Sequence, residues 1–156
     1  PGGPSAINEA VDSRLVASML GWAATSDAAR NEIFNCTNGD VFVWENIWPA
    51  VANCFGMDSG ASEPMLLADE MPKLSNVWDN LVAEHGLKPY GMTELVGDSF
   101  IYLDALMATG RDRQPPPAIV STIKTRQAGF ADCIDSEDML SEWFDRLRQM
   151  KILPPI

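Results

Sequence analysis

The sequence is poor in the residues that most often build metal and redox sites. Its 156 residues include one histidine, His85, and three cysteines, Cys36, Cys54 and Cys133, that lie far apart. A structural zinc site needs four Cys or His ligands at short spacings, so no metal is expected. An odd number of scattered cysteines also argues against a disulfide framework and indicates reduced thiols in a cytoplasmic protein.

Basic residues are only half as frequent as acidic ones. Lys and Arg number 11 and Asp and Glu number 22, which gives a net charge of -11. Phosphates would be repelled by this charge, so neither nucleic acid nor an anionic membrane is expected as a partner. No apolar run is long enough to cross a bilayer. Pro1 to Ser5 do not form a signal peptide, and because Pro1 is not an initiator we expect residues before it.

The most informative stretch runs from Asn31 to Gly56. Its first part predicts a short strand over residues 32–37, and Asn38-Gly39-Asp40 predicts a tight turn. The residues that follow at three- and four-residue steps predict a helix with one bulky apolar face: Trp44, Ile47, Trp48, Val51 and Phe55. Gly56 is expected to end this helix. We expect the face to be buried in the core, and the alternative is that one tryptophan borders a ligand pocket.

Similar spacings predict four more helices, and residues 118–128 predict a short strand or turn leading into a short helix. The helices cover residues 12–24 with Asp12 as N-cap, 66–84 with a break at Pro72 and an end at Gly86, 93–108, and 137–151 with Asp135 or Ser136 as N-cap. The residues expected to face inward on the helix over 66–84 are Leu74, Val77, Trp78, Leu81 and Val82. Residues 1–11 are expected to be flexible. The predicted fold is therefore α+β but mostly α, a single domain over 12–156 with about five helices around one or two short strands.

Two groups of titratable residues have both a structural and a functional interpretation. His85 lies in the last turn of a predicted helix, where it suits the helix dipole better than it suits a catalytic role. The acids Asp132, Asp135, Glu137 and Asp138 suggest a hard-metal site. The last predicted helix begins at this cluster, however, and acids at a helix N-terminus are favoured by the dipole, which is the interpretation we prefer.

Two stretches of the chain resemble a known family. One contains Trp22-Ala23-Ala24-Thr25-Ser26 and the run from Asn31 to Phe42, and the other contains Lys124 to Phe130, Trp143-Phe144 and Ile152-Leu153-Pro154. From about Asp12 onward, the chain resembles the C-terminal half of the progesterone 5β-reductase and iridoid synthase-like group of extended short-chain dehydrogenases/reductases. The resemblance implies a substrate lid with a pocket for an apolar, oxygenated molecule such as a steroid, terpenoid or polyketide enone.

The resemblance also implies what this chain lacks. In that family the N-terminal half is a Rossmann domain that carries NADPH and the catalytic tyrosine and lysine. This sequence has no Gly-x-Gly-x-x-Gly, and neither Tyr90 nor Tyr102 is followed by lysine at the fourth position. Without a glycine-rich turn a pyrophosphate cannot approach the backbone, so we expect no cofactor on this chain and no self-sufficient oxidoreductase.

Three functions are therefore open. The first is a stand-alone small-molecule-binding domain that acts as a cofactor-independent isomerase, cyclase or lyase on a polyketide- or terpenoid-type metabolite in specialised metabolism. The second is a C-terminal fragment of an NADPH-dependent enone or carbonyl reductase, and the third is a non-catalytic binding protein. We expect a homodimer or another partner to cover the apolar face left by the missing Rossmann half.

For the catalytic hypothesis, a carboxylate and a phenol lie four residues apart on one predicted helix. In a dry cleft such a pair can transfer protons, and the alternative is a solvated hydrogen-bonded pair. The candidate catalytic residues are Asp98, Tyr102, Tyr90 and Asp104, and the candidate substrate-binding residues are Trp44, Trp48, Phe100, Met107 and Arg126. Arg126 would hold a carboxylate or an enolate, or else pair with a structural acid.

Overall fold

The computed structural model describes residues 5–61, 63–107, 109 and 116–156. In chain order its elements are β1 (Ile7–Asn8), α1 (Ser13–Thr25), a 3₁₀ turn (Asp27–Ala29), β2 (Phe42–Val43), α2 (Trp44–Asn53), α3 (Leu67–Glu70), a second 3₁₀ turn (Met71–Leu74), α4 (Ser75–His85), α5 (Met92–Val96), α6 (Ser99–Leu106), α7 (Ile123–Gln127) and α8 (Ser136–Gln149). The two strands pair antiparallel, with Ile7 opposite Val43. The mostly helical α+β class is confirmed, and β1 lies within the segment predicted to be flexible.

The caps of the two longest helices agree with the sequence. The Asp12 carboxylate accepts a hydrogen bond from the Arg14 amide at 2.7 Å and begins α1. The Asp135 carboxylate accepts from the amides of Glu137 and Asp138 at 2.9 and 3.1 Å and begins α8. Each side chain satisfies amides that have no partner within the helix, which is why Asp is favoured there.

The buried core residues come from α1, α2, α8 and the segment just after α7. These residues are Leu15, Ile47, Ala52, Phe130 and Met139. Aromatic rings extend this core, since Trp22 contacts Phe34 edge-on at 5.4 Å between centroids. The predicted burial of Trp48 is wrong, because 52 % of it is exposed. Helix α2 packs on α8 and β2 along one side, so its broad apolar face is only partly covered.

Two glycines set the helix boundaries in the middle of the chain. Gly86 has a φ of 59° and ends α4 as predicted. Gly97 has a φ of 54° and separates α5 from α6, so the single helix predicted over 93–108 is wrong. A glycine adopts a positive φ at little cost, and the helical pattern on either side does not reveal it.

The strand predicted over 32–37 is also wrong in one respect, because these residues pair with no other strand in the described chain. The segment instead runs beside α7. The Lys124 ammonium donates to the Ile33 carbonyl at 2.9 Å, and the Thr125 hydroxyl donates to the Asn35 carbonyl at 2.8 Å. A strand needs a second backbone to form a ladder, and no described segment presents one here.

The side chain of Asn38 joins three distant parts of the chain. It is fully buried, with an exposed fraction of 0 %. Its Oδ1 accepts from the Asp12 amide at 2.7 Å, and its Nδ2 donates to the Ser136 hydroxyl at 3.1 Å. Its backbone also bonds in both directions, since its amide donates to the Ala10 carbonyl and its carbonyl accepts from the Ile134 amide.

The carboxylates of Asp12 and Asp40 extend this hydrogen-bond network on either side of Asn38. Asp12 accepts from the Trp143 indole at 3.0 Å and pairs with the Arg14 guanidinium at 2.7 Å. Asp40 accepts from the Ser136 hydroxyl at 2.7 Å and from its amide at 2.9 Å. We call Asp12, Asn38, Asp40, Ser136 and Trp143 the polar junction. Because a buried polar group without its partner is costly, these residues depend on one another.

The first prediction concerns Asn38. Asn38→Ala should lower the free energy of unfolding by about 2–4 kcal/mol, because the Asp12 amide and the Ser136 hydroxyl lose a buried partner. Urea denaturation measures this change. Asn35→Ala is the matched control in the same segment, since the exposed Asn35 side chain bonds only the Ser121 carbonyl. Equal losses for the two variants would contradict the central role of Asn38.

The second prediction concerns Asp12. Its hydrogen bond with the Arg14 side chain, opposed by burial, lowers the pKa of Asp12 from 3.8 to about 2. A lowered pKa stabilises the fold above the unfolded value, and this stabilisation is lost as the pH falls from about 4 towards 2. Asp12→Asn should therefore be less stable at pH 7 and should lose less stability across this window, as followed by thermal unfolding. Asp27→Asn, at a surface ion pair, should keep the wild-type decline.

Candidate functional site

Residues 57–61 and 63–107 form a helical layer that has almost no core of its own. In this layer α3 packs on α6, and α4 packs on the preceding 3₁₀ turn and on α5. No residue of α3, α4, α5 or α6 is buried, and Leu87 is the buried residue of the layer among those described. The Lys88 amide ties the layer to the rest of the chain by donating to the Lys151 carbonyl at 2.8 Å.

Asp104 holds two helices of this layer together. Its two carboxylate oxygens accept from the amides of Leu67 and Ala68 at 2.8 and 2.9 Å. Helix α3 begins after Leu66, whose side chain offers no cap, so a carboxylate from α6 caps it instead. Asp104 was a candidate catalytic residue, and in this structure both of its oxygens bond backbone amides.

The other candidate catalytic residues lie near one another in sequence and are open to solvent. Asp98 is at the N-cap position of α6, and its side chain caps no amide. Tyr102 lies one turn later and is 67 % exposed. Tyr90 precedes α5, and its carbonyl accepts from the Trp78 indole at 2.8 Å. Helix α6 thus carries both members of the predicted proton-transfer pair, together with the half-buried ring of Phe100, and half-buried Met107 follows it.

The remaining candidate binding residues lie in the core half of the chain. Trp44 begins α2 and packs edge-on against Phe42, with 5.3 Å between ring centroids, and its buried indole nitrogen has no described partner. Arg126 on α7 donates to the Gly39 carbonyl at 3.5 Å. The backbone of Gly39 has a φ of 106°, and a Cβ there would lie 2.7 Å from the Arg126 guanidinium. Arg126 therefore packs against the turn, next to the polar junction.

Two hollows in the described structure are informative. An open cleft of about 370 Å³ lies between β2 and the start of α8, lined by acids that include Asp40, Asp135, Glu137 and Asp138. The described residues contain no group of three or more His, Cys, Asp or Glu side chains arranged to hold a metal ion. Asp135 caps α8, which confirms the preferred interpretation of the acidic cluster.

Arg126 lines a second, water-sized hollow of about 10 Å³ beside Cys36, whose pKa is raised by burial.

The helical layer combines exposed apolar side chains with a strong excess of acids. Its exposed large apolar residues are Met57, Met65, Leu66, Leu74, Val77, Tyr90, Ile101 and Tyr102. The predicted inward positions of Leu74 and Val77 are therefore wrong, because nothing in the described chain covers that side of the layer. Residues 57–107 also contain nine Asp or Glu and two Lys.

Eight large apolar side chains are exposed within this one layer. Patches of this kind are typical of surfaces that bind a ligand or another protein. Among the described residues, no helix is both long enough and apolar enough to span a bilayer.

Known proteins resemble this chain along nearly all of its length. It is 32 % identical over 149 residues to an (S)-8-oxocitronellyl enol synthase of Antirrhinum majus and 31 % identical over 150 residues to one of Catharanthus roseus. It is 28 % identical over 148 residues to a 3-oxo-Delta(4,5)-steroid 5-beta-reductase of Arabidopsis thaliana. These matches cover 93–94 % of this chain but only 36–37 % of each relative. No family model matches the chain.

Two features of the structure had no clear signal in the sequence. Asn38 was interpreted only as a turn residue, since a buried polar side chain produces no periodic pattern. Residues 32–37 were predicted to form a strand, because local composition indicates an extended conformation. It does not indicate whether a partner strand is present.

Proposed function

Because the chain is homologous to a segment of the iridoid synthase and progesterone 5β-reductase-like enzymes, we propose that it is the substrate-binding part of an enone- or carbonyl-reducing enzyme of that group. Its helical layer forms one wall of a pocket for an apolar, oxygenated metabolite of the terpenoid, steroid or polyketide type. A dinucleotide-binding unit supplies NADPH and the opposite wall, and the assembly works in the cytoplasm.

The observation that carries this proposal is the uncovered helical layer. Its helices have no buried residues among those described, yet Asp104 caps α3 from another helix and Gly86 ends α4. A layer with this many exposed apolar side chains is stable in water when another surface covers it. A second unit on the other side of a substrate pocket would cover these apolar side chains. Because this chain spans only about a third of each relative, the rest of such a protein is long enough to form that unit. A second copy of this chain is the other possible cover.

Within this pocket the residues of α6 have distinct roles. The rings of Phe100 and Tyr102 and the side chain of Met107 supply apolar contacts, and the Tyr102 hydroxyl gives a polar group that orients an oxygenated substrate. Asp104 fixes α3 against α6 through the two amides that it accepts from, so it shapes the wall without touching the substrate.

The third prediction tests this function by reconstitution. The remainder of the Antirrhinum majus relative, expressed without the segment that matches this chain, provides the dinucleotide-binding unit. Mixed with this chain and a 3-oxo-Δ(4,5)-steroid or a short enal, it should oxidise NADPH, with little oxidation when either component is omitted. Tyr102→Ala should raise KM roughly tenfold, because an aromatic contact is lost. Ile156→Ala, at another exposed position, should leave KM unchanged. No NADPH oxidation in the complete mixture would contradict the proposal.

A second candidate function rests on one further observation. Asp98 and Tyr102 lie one turn apart at the start of α6, and the Asp98 side chain is not used as a cap. Closed off from water by a substrate or a second copy, this pair would move a proton without any cofactor. The chain would then act alone as an isomerase, cyclase or lyase.

The fourth prediction separates this candidate from the first. With no cofactor present, the chain should convert an enal or polyketide enone to an isomer of the same mass and a different retention time. The double variant Asp98→Asn, Tyr102→Phe should reduce that rate by roughly 100-fold. Conversion at the wild-type rate in the double variant, or no conversion by the wild type, would exclude this candidate.

A further inference from the structure

Two side chains of the helical layer bond backbone that belongs to another part of the layer. The Asp104 carboxylate on α6 accepts from the first amides of α3. The half-buried Trp78 indole on α4 donates to the Tyr90 carbonyl at 2.8 Å, twelve residues further along the chain. The other side-chain hydrogen bonds among the described residues of the layer join positions only three residues apart.

These two bonds close the layer into a ring. From α4 the chain passes through Tyr90 into α5 and then, after Gly97, into α6. Asp104 ties α6 back to α3, which continues through the second 3₁₀ turn into α4. Because none of these four helices has a buried residue, apolar packing fixes their arrangement only weakly. The two bonds therefore determine the arrangement more than they would in a bundle with a core.

The Trp78 bond acts on the segment that attaches the layer to the rest of the chain. The Lys88 amide donates to the Lys151 carbonyl, just after α8, and the Tyr90 amide donates to the Lys88 carbonyl at 2.7 Å. The second of these bonds closes a γ-turn centred on Pro89, whose ring restricts φ. The segment is thus held from the end of α8 on one side and from α4 on the other.

The wall of the proposed pocket begins directly after this segment. Helix α5 has five residues, and Gly97 separates it from α6. A helix of this length is only marginally stable without contacts from outside it. The direction of α6 therefore depends on where the Tyr90 carbonyl is held at one end and on Asp104 at the other.

We propose that Trp78 is a positioning residue for the substrate. Its indole N–H fixes the Tyr90 carbonyl, and through α5 this bond sets the angle at which α6 presents Phe100 and Tyr102 to the substrate. Trp78 acts through the backbone and makes no contact with the substrate itself. The inference rests on the proposed function, which places the pocket wall on α6.

The fifth prediction concerns Trp78→Phe, which keeps an aromatic ring and removes the donor. In the reconstituted mixture this variant should raise KM for the steroid about fivefold, because one hydrogen bond no longer holds α6 in the position that binds substrate. The kcat should be unchanged, since the bound state is the same. Trp143→Phe is the matched control. It removes the indole bond to Asp12 in the polar junction, so it should lower stability and leave KM unchanged.

Amide hydrogen exchange in the chain alone, read residue by residue by NMR, gives a second measurement. In Trp78→Phe the amides of Leu95 and Gly97, which bond within or at the end of α5, should exchange roughly fivefold faster. The Ile152 amide, which bonds at the end of α8, should keep its wild-type rate. Faster exchange at all three amides would indicate a loss of global stability and would overturn the inference.

The outcomes separate this inference from the proposed function. NADPH oxidation with an unchanged KM in Trp78→Phe overturns the positioning role and leaves the proposed function intact. An equal rise of KM in Trp143→Phe also overturns it, because the effect would then follow stability. A wild-type mixture that oxidises no NADPH contradicts the proposed function and, with it, the role of Trp78 in substrate binding.

Discussion

The fold depends on hydrogen bonds that the fully buried side chain of Asn38 makes. One amide side chain satisfies the backbone at the start of α1 and the hydroxyl at the start of α8, and its own backbone bonds to the residues before both helices. In a low-dielectric interior these bonds are strong and an unpaired member is costly. The two longest helices and the turn before β2 therefore have one relative arrangement.

Local rules accounted for much of the fold. Asp12, Asp135 and Gly86 begin or end helices as predicted, because caps depend on residues close in sequence. The failures have a common cause. Trp48 and Val77 were predicted to be buried and are exposed, since a period reports which face is apolar but not what covers it. The polar junction was missed because it joins residues that are far apart in the sequence.

The sequence predicted where the candidate site residues lie better than it predicted what their side chains do. Three of the candidate residues, Phe100, Tyr102 and Asp104, lie on α6, and Asp98 and Met107 flank it. Asp104 bonds the backbone of α3. Periodicity placed these residues together but did not show that one carboxylate would serve as a cap for another helix. Trp44 and Arg126 belong to the core half of the chain, where Arg126 packs beside Gly39. The candidate residues near α6 and those near the core, Trp44 and Arg126, therefore lie in different parts of the fold.

The span of the polar junction also shapes how the chain reaches its native state. Its bonds connect residues 26 and 98 positions apart, so large loops must close before any of them forms. The helical layer is built from neighbours in sequence, and contacts of that kind form early. Folding should therefore begin with local helices in the middle of the chain and be limited by the late meeting of its two ends. Unfolding in the opposite order would separate the polar junction first, while the local helices of the layer persist longest.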